Sequence, residues 1–281
     1  MQIIGCDFSS SPSKRKPIVV AVSEDFLSQI SAQPAQNMRC VLSKIERFDT
    51  LDAWSNFLLQ DSQWVGGFDL PFGLPRELIE TLNWPKEWHA CMQHYASLSR
   101  EEIRATFKAF CDARPAGGKF AHRAADAPAG SSPSMKWVNP PVAYMLHAAV
   151  PRLIAAGCHF PGLHKGSPNK VALEAYPGLL ARELIGSRSY KSDDKTKQTP
   201  ERLIARKDIL TALESGQTRL KIRLKLSNAQ REQLIDDASG DSLDAALCML
   251  QAAWAYSKHV EGKKNYGLPK FDPLEGWIVT V

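Results

Sequence analysis

Four aspartates stand where apolar runs end or begin. Asp7 closes "IIGCDFSS", Asp69 closes "VGGFDLP", and Asp241 and Asp244 open "DSLDAALCMLQAAW". The last two lie three residues apart, one turn along a single helical face. Strand ends and helix starts can converge at one edge of a sheet, where clustered carboxylates repel each other unless a cation neutralises them. Two hard cations held about 4 Å apart by such acids clamp the attacking and leaving oxygens of a phosphodiester in line. The chemistry these residue types support is therefore phosphodiester hydrolysis with Mg2+ or Mn2+.

Each acid also has a structural reading. Asp7 can accept backbone N–H groups in the "DFSSS" turn, and Asp69 can serve the turn before Leu70 and Pro71. Gly66 and Gly67, just upstream, indicate that something packs close to this backbone. Asp241, with Ser239, suits a helix N-cap. Capping explains Asp244 less well, because it shares a face with Ala245, Leu247 and Cys248, which the helical period buries. Glu174 in "ALEAYPG" ends a predicted strand; it joins the acidic site, points to solvent or pairs with Arg182. Glu275 in "LEGWIVTV" is either a further acid of the site or structural.

Groups that could meet a polyanion lie in two places. "KFAHRAADAPAGSS" carries Lys119, His122 and Arg123 on a loop rich in Gly, Pro, Ala and Ser; these suit phosphate, with His122 a possible general base, or are incidental loop charges. Residues 191 to 225 hold more positive than negative charge, including Arg202, Lys221 and Arg223, and "RLKIRLK" alternates charge with apolar residues. That face binds a phosphate backbone or is simply solvated. Trp84, Trp88, Tyr95, Phe107 and Phe110 recur at near-helical spacing, which favours core over a base-stacking platform. The histidines show no zinc spacing.

The elements that must position these groups read as α/β. "QIIGCD", "KPIVVAVSED" and "RCVLSKIERF" are three strands close enough for an antiparallel meander. "TLDAWSNFLLQD" is a helix capped by Thr50, and "QWVGGFD" is a further buried strand. Residues from about 75 to 160 read as a largely helical insertion. "KVALEAYPGLLARELI" is a strand, a turn and a helix; the basic helical stretch, the acidic helix and a short strand "GWIVTV" follow. One unit spans 1–281, a mixed sheet flanked by helices.

Six cysteines without a C-x-x-C pair read as reduced thiols, so the expected setting is cytoplasmic. No run reaches eighteen apolar residues and no signal-peptide pattern opens the chain, so membrane insertion and export are not expected. A net charge of +5 is compatible with nucleic acid as partner.

Taken together, "IIGCDFSS", "GGFDLPFGLP", "ALEAYPG", "DSLDAALCMLQAAW" and "EGWI" resemble a bacterial family of predicted nucleases, domain of unknown function 429, within the ribonuclease H-like superfamily. The resemblance implies a ribonuclease H-like mixed sheet. The acids also resemble the metal-binding set of RuvC-type Holliday-junction resolvases: Asp7 would bridge two metals, Asp69 would hold one, and Asp244 with Asp241 would complete the site. At the position of Asp69 the resolvases use Glu, which alters metal spacing. Two other classes remain open. An actin-type nucleotide-binding ATPase or kinase shares the core, with "DFSSS" as its phosphate loop; a catalytically silent nucleic-acid-binding module would use the basic face alone.

Overall fold

The first strand, β1 (Gln2–Asp7), is buried from Ile3 onward, as its unbroken apolar run predicts. It pairs antiparallel with β2 (Ile18–Ser23). The predicted third strand is two: β3 (Arg39–Val41) leaves the sheet, and β4 (Lys44–Phe48) pairs antiparallel with β2. On the other side, β5 (Trp64–Asp69) runs parallel to β1. The short β6 (Cys158–His159) and the longer β7 (Ser167–Glu174) complete a six-stranded mixed sheet in the order β4-β2-β1-β5-β7-β6. A second, two-stranded parallel sheet joins β3 to β8 (Arg223–Lys225), where Cys40 and Leu224 are buried side by side. This computed structural model describes residues 1–24, 26, 38–115 and 117–281; Asp25, the end of the second predicted strand, and Ala116, in the predicted loop, lie outside them.

Helices cover both faces. The first, α1 (Leu51–Leu59), starts at Thr50, whose hydroxyl accepts from the Ala53 N–H at 3.1 Å. The stretch read as an insertion holds α2 (Arg76–Thr81), α3 (Trp88–Ser97), α4 (Arg100–Asp112), α5 (Asp126–Ala129) and α6 (Val142–Ala155). Trp84, Trp88, Tyr95, Phe107 and Phe110 are all buried there, so the aromatic run is core. After β7 come α7 (Pro177–Ile185), α8 (Pro200–Ser215), α9 (Asn228–Asp236) and α10 (Asp241–Val260). Among the described residues, no helix is long and apolar enough to cross a membrane.

Strand alternation divides the core into two layers. Ile3, Val19, Ala21, Val65, Val171 and Leu173 pack toward α7, α8 and α10, whereas Ile4, Val20, Phe68 and Ala172 pack toward α1 and the helices of residues 76–155. The predicted terminal strand "GWIVTV" does not form. Gly276 turns the chain at φ +71°, and the tail folds over the end of β7 through one bond, Val279 N–H to Glu174 O at 2.8 Å. A single backbone bond to the strand end continues no ladder, and the side chains of Gln251 and Arg219 hold Val279 and Thr280 instead.

The register of the central strands positions α10. Gly5 and Gly67 are paired neighbours on β1 and β5. A Cβ on Gly5 would overlap the Ala245 carbonyl and the Met249 amide, and one on Gly67 would overlap the Cys248 carbonyl. Backbone therefore rests directly on backbone, as the glycine pair before Asp69 implied. Gly66 faces the opposite layer, where an added Cβ would meet the side chains of Ile4 and Phe68 at 2.8 Å. Gly5→Ala should cost about 3 kcal/mol or more in urea unfolding, because main chain cannot yield, whereas Gly66→Ala should cost clearly less as side chains repack.

Candidate metal centre

Asp7 and Asp69 are register partners at the ends of adjacent parallel strands. Each lies two residues beyond one of the paired glycines, so alternation turns both carboxylates toward α10. Asp244 meets them from the first turn of that helix. One oxygen from each of the three lies within 4.8 Å of the others. Asp244 is fully buried, Asp7 nearly so and Asp69 half-buried. Three carboxylates at this spacing form an oxygen-donor set suited to a hard divalent cation such as Mg2+ or Mn2+.

The electrostatics show what the cluster costs. Burial, then the charge of Asp244, drives the Asp7 carboxyl well above the usual carboxylate range, and Asp241 and Asp69 add to the rise. The same two causes push Asp69 up to about 7. Burial also raises Asp244, against the pull of Lys191 and of Tyr190, whose hydroxyl donates to Asp244 Oδ1 at 2.5 Å. The Lys191 ammonium pairs with Asp244 Oδ2. Burial opposes the charge on Lys191, but Asp244, Tyr190 and Asp7 outweigh it and hold its pKa well above the ordinary lysine value.

The other acids of the helix start do different work. Gly240, at φ +78°, occupies the cap position, and Asp241 is the first helical residue rather than the cap. Capping falls to Asp237, whose Oδ2 accepts from the Ser242 N–H at 2.9 Å and from its hydroxyl at 2.5 Å. Burial alone would raise the Asp237 carboxyl, but these bonds and one from Ser239 bring it below its usual value. Asp241, also buried, turns to Lys16 at 2.6 Å and stands outside the three-acid group.

Glu174 stands beside Phe68 in register, next to Asp69, but lies outside the three-acid group and is paired elsewhere. Arg123 donates to Oε1 and Oε2 at 2.6 and 2.8 Å, and the Phe72 N–H donates to Oε2 at 2.9 Å. Its partner is thus Arg123 and not Arg182, which instead bonds the Ala129 carbonyl and the Tyr176 hydroxyl. Arg123 is buried and also held by Asp126 at 2.8 Å, so its charge is spent inside the protein, tying residues 123–126 to the sheet, rather than offered to a phosphate. Glu275 has the structural role: it accepts from Arg76 N–H at 3.0 Å and Ala124 N–H at 2.8 Å.

The remaining basic candidates scatter. Lys119 and His122 are exposed, with Lys119 over the rings of Phe120 and Trp137. Arg202 donates to the Lys191 carbonyl at 2.5 Å. Lys221 is exposed at φ +56° just before β8, and Arg223, within that strand, donates to the Glu214 carbonyl at 2.9 Å. None of these five lines either of two cavities that share Asp69 and Tyr176. One, of about 170 Å³, runs past Ser131, Ser132, Val142 and Met145; the other, of about 210 Å³, is walled by Arg182, Arg188, Tyr190 and Lys191. Residue-by-residue reading missed Lys191, Tyr190 and Lys16. Lys191 opened the basic stretch, but no local pattern tied it to Asp244, 53 residues away.

The glycines of "VGGFDLP" lie inside β5, and Gly67 is covered by α10, so they form no second phosphate loop of the kind an actin-type nucleotide site needs. Comparison of the chain with protein-family profiles, curated proteins and solved structures returns no match.

Two measurements check this arrangement. Arg123→Met strands Glu174 and Asp126 as buried charges and should cost about 3–5 kcal/mol in urea unfolding. The second concerns pH. A carboxyl raised to about 7 in the fold, against about 4 in the unfolded chain, binds its proton better when folded. Its contribution is complete below about pH 4 and is lost as pH rises to about 7. The Tm of metal-free protein should therefore fall from pH 5 to pH 8. Added Mn2+ should raise Tm more at pH 8 than at pH 5, where protons occupy the ligands.

Proposed function

We propose that this chain is a divalent-metal-dependent nuclease hydrolysing phosphodiester bonds in nucleic acid, built on a ribonuclease H-like sheet carrying residues 75–160 as an insertion. The observation that carries this reading is the convergence of Asp7, Asp69 and Asp244 within 4.8 Å of one another from three separate elements. The strand arrangement supports the fold: an antiparallel β1-β2-β4 half joined to a parallel β1-β5-β7 half, with the acids at the junction. A reducing, cytoplasmic setting accords with six free, buried thiols.

The residues fit the group the reading requires, since three anionic oxygens in a largely water-excluded site are hard ligands for a hard cation. When bound, Mg2+ or Mn2+ would activate water and stabilise charge on the phosphodiester oxygens. Asp7, Asp69 and Asp244 would hold the ion, and Lys16 keeps Asp241 paired outside that group. Arg182, which lines the cavity that opens from Asp69, offers charge for a flanking phosphate, whereas Arg188 on the same wall is paired with Asp208 at 2.7 Å. The second cavity, with Ser131, Val142 and Met145, suits the less polar part of the same substrate. The chain's own task is thus to orient a phosphodiester across Asp69 and to hold the three carboxyls together, where a bound cation would displace their protons.

Incubation with single-stranded and duplex DNA and RNA plus Mg2+ or Mn2+ tests this. Cleavage is expected, and Asp7→Asn or Asp69→Asn should lower its rate at least about 100-fold, on the order of 3 kcal/mol of barrier. Cleavage that persists in Asp7→Asn would remove the site from consideration.

A further inference from the structure

Lys191 is a cation built into the acidic centre. Its ammonium contacts Asp244 directly, and its charge acts on Asp7 and Asp69 as well. The side chain is held in place by its surroundings. Gly240 lacks a Cβ where one would lie 2.7 Å from Lys191 Cβ and 2.9 Å from its Cδ, so the stem passes across the start of α10. The backbone on either side is fastened: Arg206 donates to the Tyr190 carbonyl at 2.7 Å, Arg202 to the Lys191 carbonyl at 2.5 Å, and Ser192 N–H to the Ala238 carbonyl at 3.0 Å. The Lys191 side chain is 40% exposed, but with its stem laid across α10, its main chain bonded on both sides and its ammonium on Asp244 it is a positioned charge.

Charge balance gives this position a meaning. Deprotonated, as metal ligands must be, the three carboxylates carry three negative charges, and Asp241 is already matched by Lys16. One ammonium and one divalent cation neutralise the three together; two divalent cations beside the ammonium would leave two charges in excess in a largely buried site, which is costly. We infer that Lys191 stands in for the second cation, so that this centre takes a single divalent ion. The inference rests on the metal-dependent reading above and sharpens it, because it replaces the two-ion site expected from the acids alone. Lys191 then supplies, as a fixed ammonium, the positive charge next to the scissile phosphate that a second ion would otherwise bring.

Binding stoichiometry decides the point without any activity measurement. Metal-free wild-type protein titrated with Mn2+, with free ion followed by electron paramagnetic resonance, should bind one ion per chain. Lys191→Met should bind two, with the first held about tenfold tighter or more once the repelling ammonium is gone. Lys191→Arg, which keeps the charge, should stay at one. Two ions on the wild-type chain would overturn the inference while leaving the metal site standing, and this count needs no variant to fold. One ion on both wild type and a folded Lys191→Met would also overturn it. No Mn2+ on any of the three proteins would overturn the metal reading itself.

Discussion

The main-chain contact between α10 and the two central strands is the constraint on which the rest of the structure depends. Gly5 and Gly67 sit side by side in register, and the helix backbone occupies the space their side chains would have filled. No side chain intervenes to adjust the distance, so the first turn of the helix is fixed relative to the strand ends. Two residues farther along each strand come Asp7 and Asp69, and in that first turn comes Asp244. Once the glycines are packed, the three carboxylates cannot move apart to relieve their repulsion.

The surrounding charges follow from that confinement. Lys191 and Tyr190 attend to Asp244, Lys16 to Asp241, and Asp237 is satisfied by the serines at the helix start. Several basic residues that look like a polyanion-binding face are turned inward. Arg206 is buried and bonds the carbonyls of Tyr190 and Ile235, and Arg202 bonds that of Lys191. Part of the positive excess of residues 191 to 225 thus holds a strap across the acidic centre. Arg123 does the same on the other side, joining Glu174 to Asp126.

Local pattern made much of the sheet legible. Continuous apolar runs marked β1, β2 and β5, and the Tyr-Pro-Gly turn after Glu174 marked the passage into α7. The errors came where tertiary pairing overrode local propensity. "RCVLSKIERF" splits because Arg39–Val41 finds a partner in β8, more than 180 residues away, and "GWIVTV" folds over a strand end instead of extending a ladder. Asp241 has the residue type of a cap, yet the glycine before it takes that position and an aspartate four residues earlier in the chain makes the bonds. Capping preference identifies the kind of residue required, not which of several nearby candidates has the reach.

What the sequence determined by itself was the set of acids at element ends and the glycines next to two of them, because both depend on local backbone requirements: turns, helix starts and close approach. Which acids meet was decided only by the tertiary structure. Asp244 joins Asp7 and Asp69 while Asp241 and Glu174 face Lys16 and Arg123, and these choices depend on strand register, helix rotation and partners tens to hundreds of residues distant. Electrostatic pairing in a buried site is set by distances of a few ångströms. No periodicity along one chain encodes such distances between segments far apart in sequence.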